Sequence, residues 1–179
     1  DFGCVSRDTV SFAVFPLPSV DLGDDGSFCE GASYTISAGQ GFSTYSWSNG
    51  ETGSEITVAL PGIYWVDVTD ENGCPANDTI QLTMDPLPGN TSITDGPTTV
   101  DNFQSPVSEF TAQEATNAAG YSWALEPLSA GVLMVNGTTA EVTWNSGFTG
   151  TASLNILATN DCGTGPVSDD YTVEVYSSQ

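Results

Sequence analysis

Two stretches of this 179-residue chain align with one another without a gap. Residues 1–18 read DFGCVSRDTVSFAVFPLP and residues 71–88 read ENGCPANDTIQLTMDPLP. Gly3-Cys4 falls on Gly73-Cys74, Asp8-Thr9 on Asp78-Thr79, and Pro16-Leu17-Pro18 on Pro86-Leu87-Pro88, an offset of 70 positions (3 against 73). Between these anchors Val10 matches Ile80, Phe12 matches Leu82 and Val14 matches Met84. Three anchors at one fixed spacing mark a duplicated structural unit. The alignment then divides the chain. Residues 1–18 read as the closing strand of a preceding repeat, residues 19–88 as one complete repeat, and residues 89–179 as a second, divergent domain. A Pro-Leu-Pro segment falls at each junction, where proline restricts the backbone and favours a short, stiff linker.

Within 19–88 the apolar residues alternate with polar ones at the period of a half-buried strand. Tyr34 and Ile36 alternate with Thr35 and Ser37, and Tyr45 and Trp47 precede an Asn49-Gly50 turn. Ile56 and Val58 lead to Pro61-Gly62, and Tyr64, Val66 and Val68 continue one face, leaving Ile63 and Trp65 on the other. Residues 70–73 form the next turn, and 78–84 close the repeat. The second domain follows the same order: Tyr121-Ser122-Trp123 mirrors Tyr45-Ser46-Trp47, followed by Val142 and Trp144, then Leu154, Ile156 and Ala158, then Tyr171, Val173 and Val175. Its Asn160-Asp161-Cys162-Gly163 stands where the first has 70–74. Short strands between turn signals, with no helical period, predict an all-β fold of tandem immunoglobulin-like β-sandwiches, with Trp47 and Trp123 as equivalent core residues.

Composition narrows the chemistry. There are 23 acidic residues against a single basic one, Arg7, no His, and a formal net charge of −22. That surface repels phosphate backbones and anionic lipid, which argues against nucleic-acid binding, and no apolar run reaches the roughly 18 residues of a membrane-inserted helix. Without His or Lys there is no imidazole base, no Ser–His pair and no Schiff-base amine. Glu55 and Glu141 are carboxylates of the kind a glycosidase pairs, but no positioning motif surrounds them, so the chain reads as non-catalytic. Cys4, Cys29, Cys74 and Cys162 are far apart with no CxxC pair, which points to disulfides in an oxidising compartment. The chain opens on Asp1 without a signal segment and reads as a mature or internal piece of something longer.

Cys29 and Cys74 fall at the first strand and last hairpin of one repeat, so a Cys29–Cys74 disulfide is expected, contributing about 2–4 kcal/mol. Cys4 occupies the place of Cys74 in the preceding repeat, and its partner is expected upstream. Asp21, Asp24 and Asp25 follow the first Pro-Leu-Pro, and Asp70 and Glu71 lie in a hairpin of the same repeat. Together they are the candidate calcium ligands, since hard oxygens suit that ion; no other cofactor is expected. Asn77, Asn90 and Asn136 each open an N-linked glycosylation triplet.

The stretch YSWSNGETGSEITVALPGIYWVDVTDENGCPANDTIQLT resembles the immunoglobulin-like repeats of giant surface adhesins from gliding bacteria that use type IX secretion. The stretches ITDGPTTV, YSWALEP and TTAEVTWNSGFTGTASLNILATNDCGTGPVSDDYTVEV are similar to the PKD-like domains found beside them. That resemblance implies a secreted, cell-surface, non-catalytic segment of an adhesin stalk or extracellular fibre involved in cell adhesion and gliding motility. Its implied partners are neighbouring repeats of the same protein, surface polysaccharide, or other copies in a filament. The alternative is an accessory carbohydrate-binding or spacer region of a secreted polysaccharide-degrading enzyme, with Trp65 as a sugar platform. The PKD-like pattern carries a cysteine soon after Gly96-Pro97-Thr98-Thr99-Val100, where this chain has Asp101 and Asn102, so Cys162 is expected to be free. Asp8-Thr9-Val10 and Asp78-Thr79-Ile80 resemble the Asp-Thr-aliphatic O-glycosylation motif of these bacteria, making Thr9 and Thr79 candidate acceptors.

Overall fold

The computed structural model describes Gly3 and residues 6–178. It separates into two compact units, one ending at Met84 and one beginning at Asp85. Each is all-β, and among the described residues the only helical element is a short 3-10 turn, Leu128–Ala130.

The first unit contains β1 (Gly26–Cys29), β2 (Tyr34–Ser37), β3 (Thr44–Trp47), β4 (Glu55–Val58), β5 (Gly62–Thr69) and β6 (Pro75–Asp85). One sheet has the order β1-β6-β5-β3, and β2 pairs with β4 in the other. The alternation read from the sequence is the burial pattern: Ile36, Trp47, Ile56, Val58, Val66, Val68, Ile80 and Leu82 point into one core with Leu22 and Phe28. Register follows from that pattern, because a slip of one residue would turn every inward side chain to solvent. Trp47 pairs with Val66 and Tyr45 with Val68 across β3 and β5. The Asn49-Gly50 turn is tightened by a bond from the Gly50 N–H to the Trp47 carbonyl at 2.9 Å. Gly50 has φ of +88°, a conformation that suits a residue with no Cβ.

The second unit contains β7 (Ile93–Asp95), β8 (Thr99–Asp101), β9 (Val107–Ala112), β10 (Gly120–Glu126), β11 (Gly131–Asn136), β12 (Thr139–Trp144), β13 (Gly150–Asn160), β14 (Gly163–Thr164) and β15 (Tyr171–Tyr176). The sheets run β10-β13-β15-β8, with β14 on β13, and β11-β12-β9-β7. Phe110, Trp123, Leu125, Val142, Trp144, Leu154, Ile156, Val173 and Val175 fill the space between them. Trp123 pairs with Ile156 and Tyr121 with Ala158, the register found in the first unit. Pro86-Leu87-Pro88 is not a bare linker. Pro88 is buried, the Pro86 carbonyl accepts a bond from Asn160 Nδ2 at 2.9 Å, and a Cβ on Gly165 would meet the Pro88 oxygen at 2.6 Å. Only glycine allows the chain to pass so close.

Residues 6–22 carry no regular secondary structure. The strand expected within 1–18 is therefore not formed among the described residues, and Val10, Phe12 and Val14 are 65%, 85% and 92% exposed. The reason is topological. The matching segment of the complete repeat lies inside β6, which already occupies the position between β1 and β5.

Candidate functional site

The two Tyr-x-Trp motifs are built alike. Trp47 lies in the first core and donates its indole N–H to the Gly53 carbonyl at 2.8 Å; Trp123 lies in the second and donates to the Gly137 carbonyl at 3.0 Å. The hydroxyl of Tyr45 donates to the Gly39 carbonyl at 2.9 Å, and that of Tyr121 accepts the Ala115 N–H at 3.0 Å. Each motif satisfies the polar edge of a large buried ring while tying down a loop.

Acidic and amide side chains hold the connections. Asp70 Oδ1 accepts the N–H groups of Asn72 and Cys74, both at 2.8 Å, closing the β5–β6 turn. Asn160 Oδ1 accepts those of Cys162 and Gly163 at 2.9 and 3.2 Å. Its amide nitrogen also donates to the Pro86 and Asn117 carbonyls. Asp78 Oδ2 accepts the Leu22 N–H at 2.7 Å and its Oδ1 that of Thr79 at 2.8 Å. Sequence reading missed this clamp. The duplicated Asp-Thr doublet was its signal, read there as a glycosylation motif.

The five acids named as calcium ligands are not brought together, and among the described residues no three His, Cys, Asp or Glu side chains form a metal-binding group. The calcium expectation is therefore corrected. Asp21 Oδ1 accepts the Gly23 N–H at 2.8 Å and Asp25 Oδ1 the Gln81 N–H at 2.8 Å. Gln81 lies six residues beyond Pro75, about 20 Å along β6 from the turn that Asp70 closes. Asp24 and Glu71 are exposed.

The Cys29–Cys74 disulfide is likewise corrected: Cys74 is a free, half-buried thiol. The bonds Leu22–Asp78, Asp25–Gln81 and Gly26–Thr83 carry the chain into β1 alongside β6 in the same direction. Cys29 therefore sits beside the far end of β6, while Cys74 precedes its first residue. At ~3.3 Å per residue the separation is about 35 Å, far beyond the roughly 7 Å limit between bonded Cα atoms. Cys29 and Cys162 are both disulfide-bonded, so the expectation of a free Cys162 also fails. Cys4, and with it the expected upstream bond, lies outside the described residues.

Thr9, Thr79, Asn77, Asn90 and Asn136 are all exposed. Ile63 and Trp65, at 64% and 41% exposure, lie on the outer face of β5, with Trp65 opposite Thr79 and Ile63 opposite Gln81. In the second unit Glu109 faces Glu141 across β9 and β12. They line an open groove with Met134 and Asn136, of about 340 Å³. Asp101, at the end of β8, is held below the ordinary carboxylate value, first by a hydrogen bond from the Ser178 side chain. Burial opposes this, and the N–H groups of Phe103, Ser178 and Gln104 reinforce it.

No curated protein matches the sequence. Residues 87–173 match the PKD-like domain family. Among solved structures, the N-terminal eight Ig domains of the Down Syndrome Cell Adhesion Molecule isoform 1.30.30 superpose at a TM-score of 0.50 with 12% identity, over 91% of this chain and 24% of that one. A chain of the complex between a mouse coronavirus receptor-binding domain and its murine receptor gives 0.49 with 10% identity, over 84% and 96%. Fibronectin(III)-like modules of Clostridium thermocellum CbhA give 0.40 with 16% identity, over 88% and 92%. At 12% identity the first of these likenesses supports the immunoglobulin-like fold alone.

Proposed function

We propose that this chain is a non-catalytic structural and adhesive segment of a secreted cell-surface repeat protein. The observation that carries the reading is the offset of 70 positions that sets residues 1–18 on the closing segment of the first sandwich, in a chain where a second sandwich follows it. Such arrays accumulate length by adding equivalent units. A net charge of −22 suits a soluble extracellular surface, and the disulfide state of Cys29 and Cys162 suits an oxidising compartment. The resemblance to the repeats of giant adhesins supports the finer reading: a type IX-secreted adhesin stalk or filament of a gliding bacterium, whose partners are neighbouring repeats, other copies or surface polysaccharide. Protease shaving of intact source cells should release peptides of this chain, and its in-frame deletion should impair attachment. Attachment and gliding unchanged by the deletion would remove the adhesive role.

Trp65 favours a second reading, an accessory sugar-binding or spacer module of a secreted polysaccharide-degrading enzyme. A half-exposed indole on the outer face of β5, on the same face as Asp67 and Gln81, is a surface on which a sugar ring can stack. Affinity electrophoresis on acidic and neutral polysaccharides, with Trp65→Ala as control, tests it: retardation lost in the variant supports this reading, and equal migration of both proteins removes it.

A further inference from the structure

We propose that residues 8–15 form the closing strand of a further immunoglobulin-like sandwich, lying N-terminal to them in the same polypeptide, and that they insert there as 78–85 insert in this chain. The inference rests on the tandem-sandwich part of the proposed function and not on its adhesive part. In β6 the inward residues Ile80 and Leu82 are each 1% exposed. Their counterparts Val10 and Phe12 carry equivalent apolar surface but are 65% and 85% exposed. An apolar strand left open in this way invites pairing. The two segments share one local contact: Asp8 Oδ1 accepts the Thr9 N–H at 2.9 Å as Asp78 Oδ1 accepts that of Thr79 at 2.8 Å.

The receiving site is also defined. β6 is an interior strand, bonded to β1 on one side and β5 on the other. The partner must therefore offer two strand edges around an empty slot. Among the described residues neither unit offers one: β6 occupies the slot in the first, and in the second β15 lies between β13 and β8. Chain order then selects the source. In the complete repeat the body comes first, then the closing strand, then Pro-Leu-Pro. Residues 8–15 precede Pro16-Leu17-Pro18 in the same order, which places their sandwich before them. Asp8 then takes on the second duty of Asp78, accepting a backbone N–H from the entry segment of that sandwich, as Asp78 does from Leu22.

A strand exchange within the full chain tests this. Residues 78–85 are replaced by the sequence of 8–15, DTVSFAVF, and in a control by the same sequence shifted by one position, which turns the apolar residues outward. The in-register chimera should retain a cooperative transition of the first unit, its midpoint lowered by about 5–15 °C for imperfect packing of valine and phenylalanine in place of isoleucine and leucine. The shifted control should lose it. Loss in both overturns the assignment of residues 8–15 as a closing strand. Sedimentation of the unaltered chain distinguishes the source. A constant mass of 18.6 kDa over the concentration range is expected; concentration-dependent assembly abolished by Phe12→Asp would overturn the same-polypeptide source in favour of exchange between copies. Neither readout depends on adhesion, so failure of the adhesive role leaves both unaffected.

Discussion

The two sandwiches solve one problem at their centres and different problems at their edges. In both, a Tyr-Ser-Trp strand lies against an antiparallel partner in the same register, with Trp47 on Val66 and Trp123 on Ile156. In both, the following turn is closed by a side chain that accepts two backbone N–H groups. The closing residue is Asp70 in one and Asn160 in the other, and the change is not neutral. The turn at Asp70 needs only an acceptor. Asn160 must also donate, to the carbonyls of Pro86 and Asn117, and so anchors the entry segment of its own unit. The cores show what the fold requires; the turns show what each chain segment requires.

The largest test of this equivalence is truncation of the paired tryptophans. Trp47→Ala and Trp123→Ala should each cost about 3–5 kcal/mol in the unit that carries the change, read as the loss or large depression of one calorimetric transition. Trp47, at 2% exposure against 8% for Trp123, should give the larger loss. If either substitution leaves both transitions in place, that ring is not a core anchor and the equivalence breaks. Next in size is the cysteine contrast. Cys29→Ser should cost about 2–4 kcal/mol through loss of a cross-link, whereas Cys74→Ser should cost less than ~1 kcal/mol, as expected for replacement of an unbonded thiol. Alkylation without reductant should label Cys74 and leave Cys29 and Cys162 unlabelled; labelling of Cys162 with Cys29 and Cys74 both protected would restore the pairing expected from the sequence.

The turn comparison is sharpened by exchanging the two residues. Asp70→Asn keeps an acceptor for Asn72 and Cys74 and should change stability by less than about 0.5 kcal/mol. Asn160→Asp removes two donors and sets a carboxylate against two carbonyl oxygens, a change expected to cost about 1–2 kcal/mol at this partly exposed site. Urea midpoints of the two single variants decide the matter. Equal effects would mean that Asn160 acts only as an acceptor.

Much of the core was legible because strand periodicity leaves its mark directly on the sequence. The positions of Ile36, Val66, Leu154 and Val173 follow from alternation alone, as does the outward face of Trp65. β7, β8, β9 and β11 were not read from the sequence: β7 and β8 are only three residues long, β9 buries Ser108 and exposes Val107, and β11 leaves Val132, Met134 and Val135 exposed. The cysteine pairing was not legible either. Cys29 and Cys74 stand at the two ends of the repeat in sequence, and placing them in space required knowing that β1 runs in the same direction as β6. The acids at 21–25 looked like a ligand set for a similar reason. Composition gave their number, but only the fold shows that Asp21 and Asp25 are occupied by separate backbone N–H groups.

The smallest effect concerns Asp101, at the end of a β8 strand that lies parallel to β15. Its Oδ1 accepts the N–H groups of Phe103 at 3.1 Å and Ser178 at 3.2 Å, so the ionised carboxylate links the β8 exit to residues just after β15. The folded pKa is lowered from 3.8, primarily by the Ser178 side chain. A depressed carboxyl pKa contributes stability that is present above the unfolded value and is lost as pH falls through the folded one. The second unit should therefore lose this contribution only below about pH 4, with little change between pH 5 and 7. The group is solvent-exposed, so the effect should be small and weakened by salt. Asp101→Asn keeps an acceptor oxygen but removes the titration. Melting of the two proteins from pH 6 to pH 3 at low ionic strength should show the unaltered chain falling more steeply at the acid end. Parallel curves would mean that the Ser178 and Phe103 contacts hold the protonated side chain as well as the charged one, and that Asp101 adds nothing to the pH dependence of its unit.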